Sequence, residues 1–189
     1  MKMTALVASD TDAVKRHYIA LSPEDFYLRF GVEKDERAEQ GLMRAIDFTV
    51  RNAMKDTFAT FYGAWDDAHQ DLQVVVMLAP VGGKGSTVVE VAISALPAAR
   101  GGLMANLSGW LVGELKRRKA TDLVFTYIPS NVPMVRLVHK LNLTEEKISG
   151  IPFHRMKLAP ADEILTAWIH GMDQLFAAAR QELAASAKL

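Results

Sequence analysis

The chain reads as one α+β domain, and three observations carry that reading. Its 189 residues are 50% hydrophobic and 23% charged, which is enough to bury a core and too apolar for a disordered chain. The apolar period is helical up to about residue 52, then gives way from Thr57 to runs of aromatic and β-branched residues. After Leu96, helix-like and strand-like segments alternate, with no repeat, low-complexity tract or linker between them.

The elements follow in order. Val14, Tyr18 and Leu21 fall at helical spacing over residues 10–20 and predict a first helix. Ser22-Pro23-Glu24-Asp25 then supplies a capping residue, a proline at the first helical position and acids in the first turn, so a short helical turn through Phe26 to Phe30 is expected. Leu42, Ile46 and Val50 recur every four residues and predict a helix over 35–52. Thr57–Trp65 and Leu72–Ala79 read as strands joined by a turn at 66–70, and Gly82-Gly83-Lys84-Gly85 as a hairpin loop into a third strand, Thr87–Leu96. Leu103, Leu107, Leu111 and Leu115 make one stripe on a helix reaching to Lys119. A fourth strand (Asp122–Ile128), a short helix over Asn131–Leu141 and a fifth strand near Phe153–Leu158 follow, the last entered through a Gly150-Ile151-Pro152 turn. The final helix spans Ala161 to about Ala187, so the domain is expected over 1–160 and a terminal helix over 161–189.

Composition removes several classes of function. Lys plus Arg and Asp plus Glu each number 22, and a chain without net charge is not a general nucleic-acid binder. The absence of cysteine excludes disulfides, thiolate metal sites and a cysteine nucleophile. The five histidines show no metal-ligand spacing, and no metal is expected. The first 18 residues hold no sustained apolar stretch and no segment approaches a membrane span, so the expectation is a cytoplasmic protein without membrane contact.

Gly101-Gly102, between the third strand and the Leu-striped helix, is the one junction with chemistry in its favour. Backbone N–H groups at a helix start bind anions without any charged side chain, and glycine lets the ligand come close. On spacing alone, two readings stand: a phosphate site and a plain connection.

The element order and three segments resemble the GNAT superfamily of acyl-CoA-dependent N-acetyltransferases. The segments are Leu21-Ser22-Pro23-Glu24-Asp25-Phe26-Tyr27-Leu28-Arg29-Phe30-Gly31, Glu90 to Ser94 continued by Pro97, Ala99, Arg100 and Gly101, and Asn131 to Leu141. They are similar, in matching order over about residues 10–158, to a bacterial branch carrying LSPEDxYLRFG. The resemblance implies a mixed, mostly antiparallel central sheet flanked by helices, with the terminal helix as an extra. It also implies acetyl-CoA as co-substrate and an amine acceptor, either a small molecule or a protein lysine. The family's turn, Q/R-x-x-G-x-G/A, cradles the CoA pyrophosphate. Here Arg100-Gly101-Gly102-Leu103-Met104-Ala105 keeps its first and last positions but has Leu103 where the middle glycine belongs; a one-residue deletion would align Gly102 instead and leave Met104 last. The cofactor-binding residues so implied are Ala95, Leu96, Arg100, Gly101, Gly102, Leu103, Met104, Ala105 and Asn131.

Acyl transfer to an amine sets two proton problems: an ammonium of pKa about 10.4 must be deprotonated, and the thiolate must be protonated as it leaves. Glu90 is the candidate base, the one charge in an apolar strand, sharing a face with Val88, Ala92 and Ser94. Its alternative is a strand-edge carboxylate in solvent or paired with an arginine. Val138 occupies the position of the family's usual tyrosine acid, which makes Tyr127 the candidate donor, with core or pocket wall as its other reading. His139, His154 and water are further candidates for that role. Lys116-Arg117-Arg118-Lys119 reads as a solvated helix end. The competing function is a catalytically degenerate CoA-binding or protein-interaction module, motivated by Leu103, Val138 and Asn142-Leu143. Trp168, Ile169, Met172 and Phe176 would pack the last helix on its own domain or form a homodimer contact.

Overall fold

The computed structural model describes residues 2–41, 43, 44, 59–83, 85–99, 103–132, 135, 139, 144–148 and 151–157. The expected terminal helix over 161–189 and the expected helix beyond residue 44 lie outside the described residues. Helix α1 is Thr11–Ile19 and α2 is Pro23–Phe30. The strands are β1 (Met3–Ala5), β2 (Thr60–Trp65), β3 (Leu72–Pro80), β4 (Val88–Ala95), β5 (Asp122–Thr126), β6 (Thr144–Ile148) and β7 (Ile151–Lys157). Helix α3, Leu103–Arg117, joins β4 to β5.

Among the described residues these strands make one seven-stranded sheet in the order β1-β2-β3-β4-β5-β7-β6. Every neighbouring pair is antiparallel except β4 and β5. Antiparallel strands close through short turns, here 66–71 and 81–87, whereas the parallel pair needs a crossover, which α3 provides. Gly82, Gly83 and Gly85 all adopt positive φ in the second turn, which explains the glycine density read there.

Two strands go beyond the five expected. β1 is three residues long, too short to display an alternation, and is held by pairing with Tyr62 to Ala64. β6, Thr144-Glu145-Glu146-Lys147-Ile148, is an edge strand bonded to β7 alone, and charge on an edge discourages further pairing while hiding the strand from a hydrophobicity reading. Ile151 and Pro152, expected in a turn, begin β7; Pro152 lies before the residues that pair with β5, so the sheet loses no inner hydrogen bond to it. α2 is longer than the expected turn. Ser22 caps it by accepting from Asp25 N at 3.1 Å, Pro23 opens it, and Gly31 closes it at φ 71°.

The sheet carries a core on each side. On one, Leu107, Leu111 and Leu115 of α3 pack on Val89, Val91, Leu123 and Phe125. On the other, α1 and α2 bring Val14, Tyr18 and Phe26 against Leu72 and Val75. The Leu stripe and the strand alternation therefore do the work their spacing predicts. No helix among the described residues is long and apolar enough to cross a membrane.

The basic end of α3 is more than solvated. Glu114, buried at 9% exposure, accepts from Arg117 Nε at 2.8 Å, Arg118 Nε at 2.9 Å and the Tyr62 hydroxyl at 2.5 Å. Arg118 also donates to the Tyr62 oxygen at 3.0 Å, and Trp110 meets the Tyr62 ring edge-on. The Arg117 hydrogen bond, aided by those from Tyr62 and Arg118 and opposed by burial, lowers the Glu114 pKa to about 2. Its stabilising contribution is thus complete above the ordinary carboxylate pKa near 4.5 and is lost as pH falls toward about 2. Glu114→Gln is expected to destabilise the protein by about 1–3 kcal/mol at neutral pH, measured by urea unfolding, and to flatten the stability profile below about pH 4.5. An unchanged midpoint would remove the cluster from the fold's support.

Candidate active site

The parallel seam between β4 and β5 is three residue pairs long: Val88 with Asp122, Val89 with Leu123 and Glu90 with Val124. β4 continues to Ala95 bonded to β3, and β5 to Thr126 bonded to β7. Beyond Glu90 the two strands run on without pairing to each other, so the sheet opens there. Peptide groups alternate sides along a strand. Leu96 N donates to Gln73 O and Val88 O accepts from Val81 N, so even-numbered residues turn toward β3. Thr87 O accepts from Thr121 N on the β5 side. By the same alternation the peptide group of Ile93, beyond the last pair, is directed into the opening.

Side chains alternate between the faces as well. Val89 and Val91 lie under α3, while Glu90, Ala92 and Ser94 face α1 and α2. Glu90 is half-buried at the apex of the opening, and its Oε1 accepts from Thr126 Oγ1 at 3.0 Å. It sits on a central strand with a hydroxyl partner, and among the described residues it forms no ion pair with an arginine. Tyr127 directly follows β5 and is buried at 8% exposure. Ile128 packs near Gly31 on the α2 side, so alternation carries Tyr127 to the α3 side, opposite Glu90.

Ser94, on the Glu90 face, is buried and bonded to His17 of α1. His17 Nδ1 lies 2.7 Å from Leu72 O, an acceptor only, so Nδ1 carries the proton and Nε2 accepts from the Ser94 hydroxyl at 2.8 Å. This tie fastens α1 to β3 and to the end of β4. Burial holds the His17 pKa below 6.5, against the Leu72 hydrogen bond and with help from the Arg29 charge. Sequence reasoning passed over His17 and Thr126. For His17 a signal existed: it sits at i+3 from Val14 within the apolar stripe of α1.

Asn131 N donates to Ile128 O and its carbonyl accepts from Val135 N, both at 2.9 Å, which is the bonding of a residue that opens a helix. The Leu96 amide, bonded to Gln73 O, turns away from the opening, and Ala95, just before it, ends β4. Arg100, Gly101 and Gly102 lie outside the described residues, as do the side chains of Leu103, Met104, Ala105 and His154 and all of Val138. α3 begins at Leu103, just past the Pro97–Ala99 turn. His139 is exposed.

No family model matches the chain, and no curated protein does. Solved structures match its fold. The PaiA N-acetyltransferase of Thermoplasma acidophilum in complex with coenzyme A is similar at a TM-score of 0.59 and 12% identity, over 84% of this chain and 100% of that one. The ribosomal-protein-S5-alanine acetyltransferase of Vibrio fischeri gives 0.57 and 13%, over 85% and 93%. The GNAT domain of S. lividans PAT gives 0.56 and 16%, over 82% and 89%. The chain thus has the α+β GNAT fold, with its opened central sheet.

The His17 tie has a pH signature. Unfolded, the ring takes a proton near 6.5; folded, it does so only at lower pH. Between those values the unfolded chain binds the extra proton, so stability falls as pH drops through 6.5 and levels off below the folded pKa. Urea midpoints from about pH 7.5 to about pH 5 are expected to fall more steeply in the native protein than in His17→Gln. Equal slopes would refute the tie.

Proposed function

We propose that the chain is an acetyl-CoA-dependent N-acetyltransferase acting by direct attack of an amine. The observation that carries the reading is the opening between β4 and β5 with a carboxylate, Glu90, at its apex, in a GNAT fold. A CoA-type co-substrate fits what is described: the Ile93 peptide group turns into a gap instead of a strand, and α3 starts just past the end of that strand.

When bound, acetyl-CoA supplies the acyl group as a thioester. Glu90 takes the proton from the acceptor ammonium, so that the nitrogen lone pair can form the C–N bond. The half-burial of Glu90 keeps that carboxylate near the reacting amine with little competing water. The Ile93 N–H, turned into the opening, donates to the carbonyl oxygen as it gains charge. Tyr127, on the α3 side, would give its hydroxyl proton to sulfur as the C–S bond breaks, and the second proton, which the nitrogen sheds on becoming an amide, would restore it. Arg100, Gly101, Gly102, Leu103, Met104 and Ala105 would hold the diphosphate through main-chain N–H groups at the start of α3, and Asn131 would flank the pantetheine arm.

Two coupled measurements test this. Acetyl-CoA is expected to raise the melting temperature, and thiol release with a panel of amines to fall by about 10²–10⁴-fold in Glu90→Gln while the CoA-induced shift is kept. No shift with acetyl-CoA or CoA would overturn the co-substrate reading, and full activity in Glu90→Gln would overturn the base.

A further inference from the structure

Several of the described cations come with partners. Lys34 donates to Ile19 O and Leu21 O and pairs with Glu39, Arg16 pairs with Asp71, and Arg117 and Arg118 share Glu114. Arg29 does not. It is half-buried, its Nε is sealed from solvent without a hydrogen bond, and among the described residues it forms no ion pair. Its guanidinium lies 5.3 Å from the Phe30 ring centroid, and its charge reaches His17. A guanidinium cannot shed its proton to relieve burial, so the missing partner is a standing destabilisation.

Its position suggests what the partner is. Arg29 is in the last turn of α2. Gly31, two residues on, is a neighbour of Ile128, which follows the end of β5: a Cβ at Gly31 would meet the Ile128 Cγ2 at 3.5 Å. His17, within reach of the Arg29 charge, is bonded to Ser94 near the end of β4. The α2 terminus therefore lies beside the end of β5, on the face of Glu90 and Thr126 and opposite α3. An anion bound there belongs to the acceptor and not to CoA. Resting on the acyltransferase reading above, we infer that Arg29 receives a carboxylate of the acceptor, through two parallel N–H···O bonds, and orients its amine toward Glu90. The acceptor class is thus an amino acid or a peptide end with a free carboxylate.

The test compares β-alanine, L-lysine and glycine with their carboxamides, in transfer assays and by calorimetric titration of the CoA-loaded protein. The native protein is expected to favour the free carboxylates. Arg29→Gln is expected to weaken carboxylate binding and raise its KM by about tenfold or more, with carboxamide binding and CoA affinity unchanged, and Arg29→Lys to fall between. Arg29→Gln is also expected to melt no lower than the native protein, because the charge it removes is uncompensated. Equal treatment of acid and amide by the native protein, equal weakening of both in Arg29→Gln, a loss of CoA affinity or a large loss of stability would each overturn the inference. Absence of turnover with carboxylate binding intact and Arg29-dependent would sink the transferase reading but leave the anion site standing.

Discussion

β4 and β5 are held at the same edge for three residue pairs and then released, and the rest of the molecule is organised around that seam. Each strand is committed elsewhere over its full length, β4 to β3 through Ala95 and β5 to β7 through Thr126. The sheet is therefore two antiparallel ribbons, β1 to β4 and β5 to β7, joined by a short parallel stitch. Parallel pairing also forces the crossover, so α3 must lie over the seam and start beside the opening. The gap and the position of the helix start beside it are consequences of one topological choice.

The two faces of the seam differ in chemistry. Under α3 the packing is aliphatic, with Leu107, Leu111 and Leu115 on Val89, Val91 and Leu123, and a well-filled core of this kind resists movement. Under α1 and α2 the strand residues near the opening are Glu90, Ala92, Ser94 and Thr126, with His17 bonded to Ser94. Among the described residues, the second face brings a carboxylate, two hydroxyls and an imidazole close to the opening, while the first contributes Tyr127 just past β5. The rigid face fixes the geometry, and the polar face supplies the specificity.

The fold was legible where local signals were strong. The Ser22-Pro23 start, the Leu103–Leu115 stripe and the β-branched runs of β3 and β4 each point to one conformation, and each is found. β1 and β6 were not legible, because a three-residue strand and a charged edge strand exist through their partners rather than their own pattern. The same division holds for the site. Glu90 is visible as a lone charge in an apolar strand. Thr126 and His17 gain meaning only when the register of β4 against β5 and the docking of α1 bring them to Glu90 and Ser94. Long-range juxtaposition is what a linear reading lacks.

Polar clusters alone do not mark function here. Glu114 is buried and its pKa strongly lowered, yet both of its oxygens are bonded, one to Arg117 alone and one to Arg117, Arg118 and Tyr62. It has nothing left to offer a ligand, and its network ties α3 to β2. His17 and Ser94 likewise satisfy each other and Leu72, which makes them a clasp. Arg29 is the opposite case, a fixed charge whose Nε is shut off from water without an acceptor. Completeness of bonding, more than polarity or burial, separates the groups that hold this fold together from those that wait for something to bind.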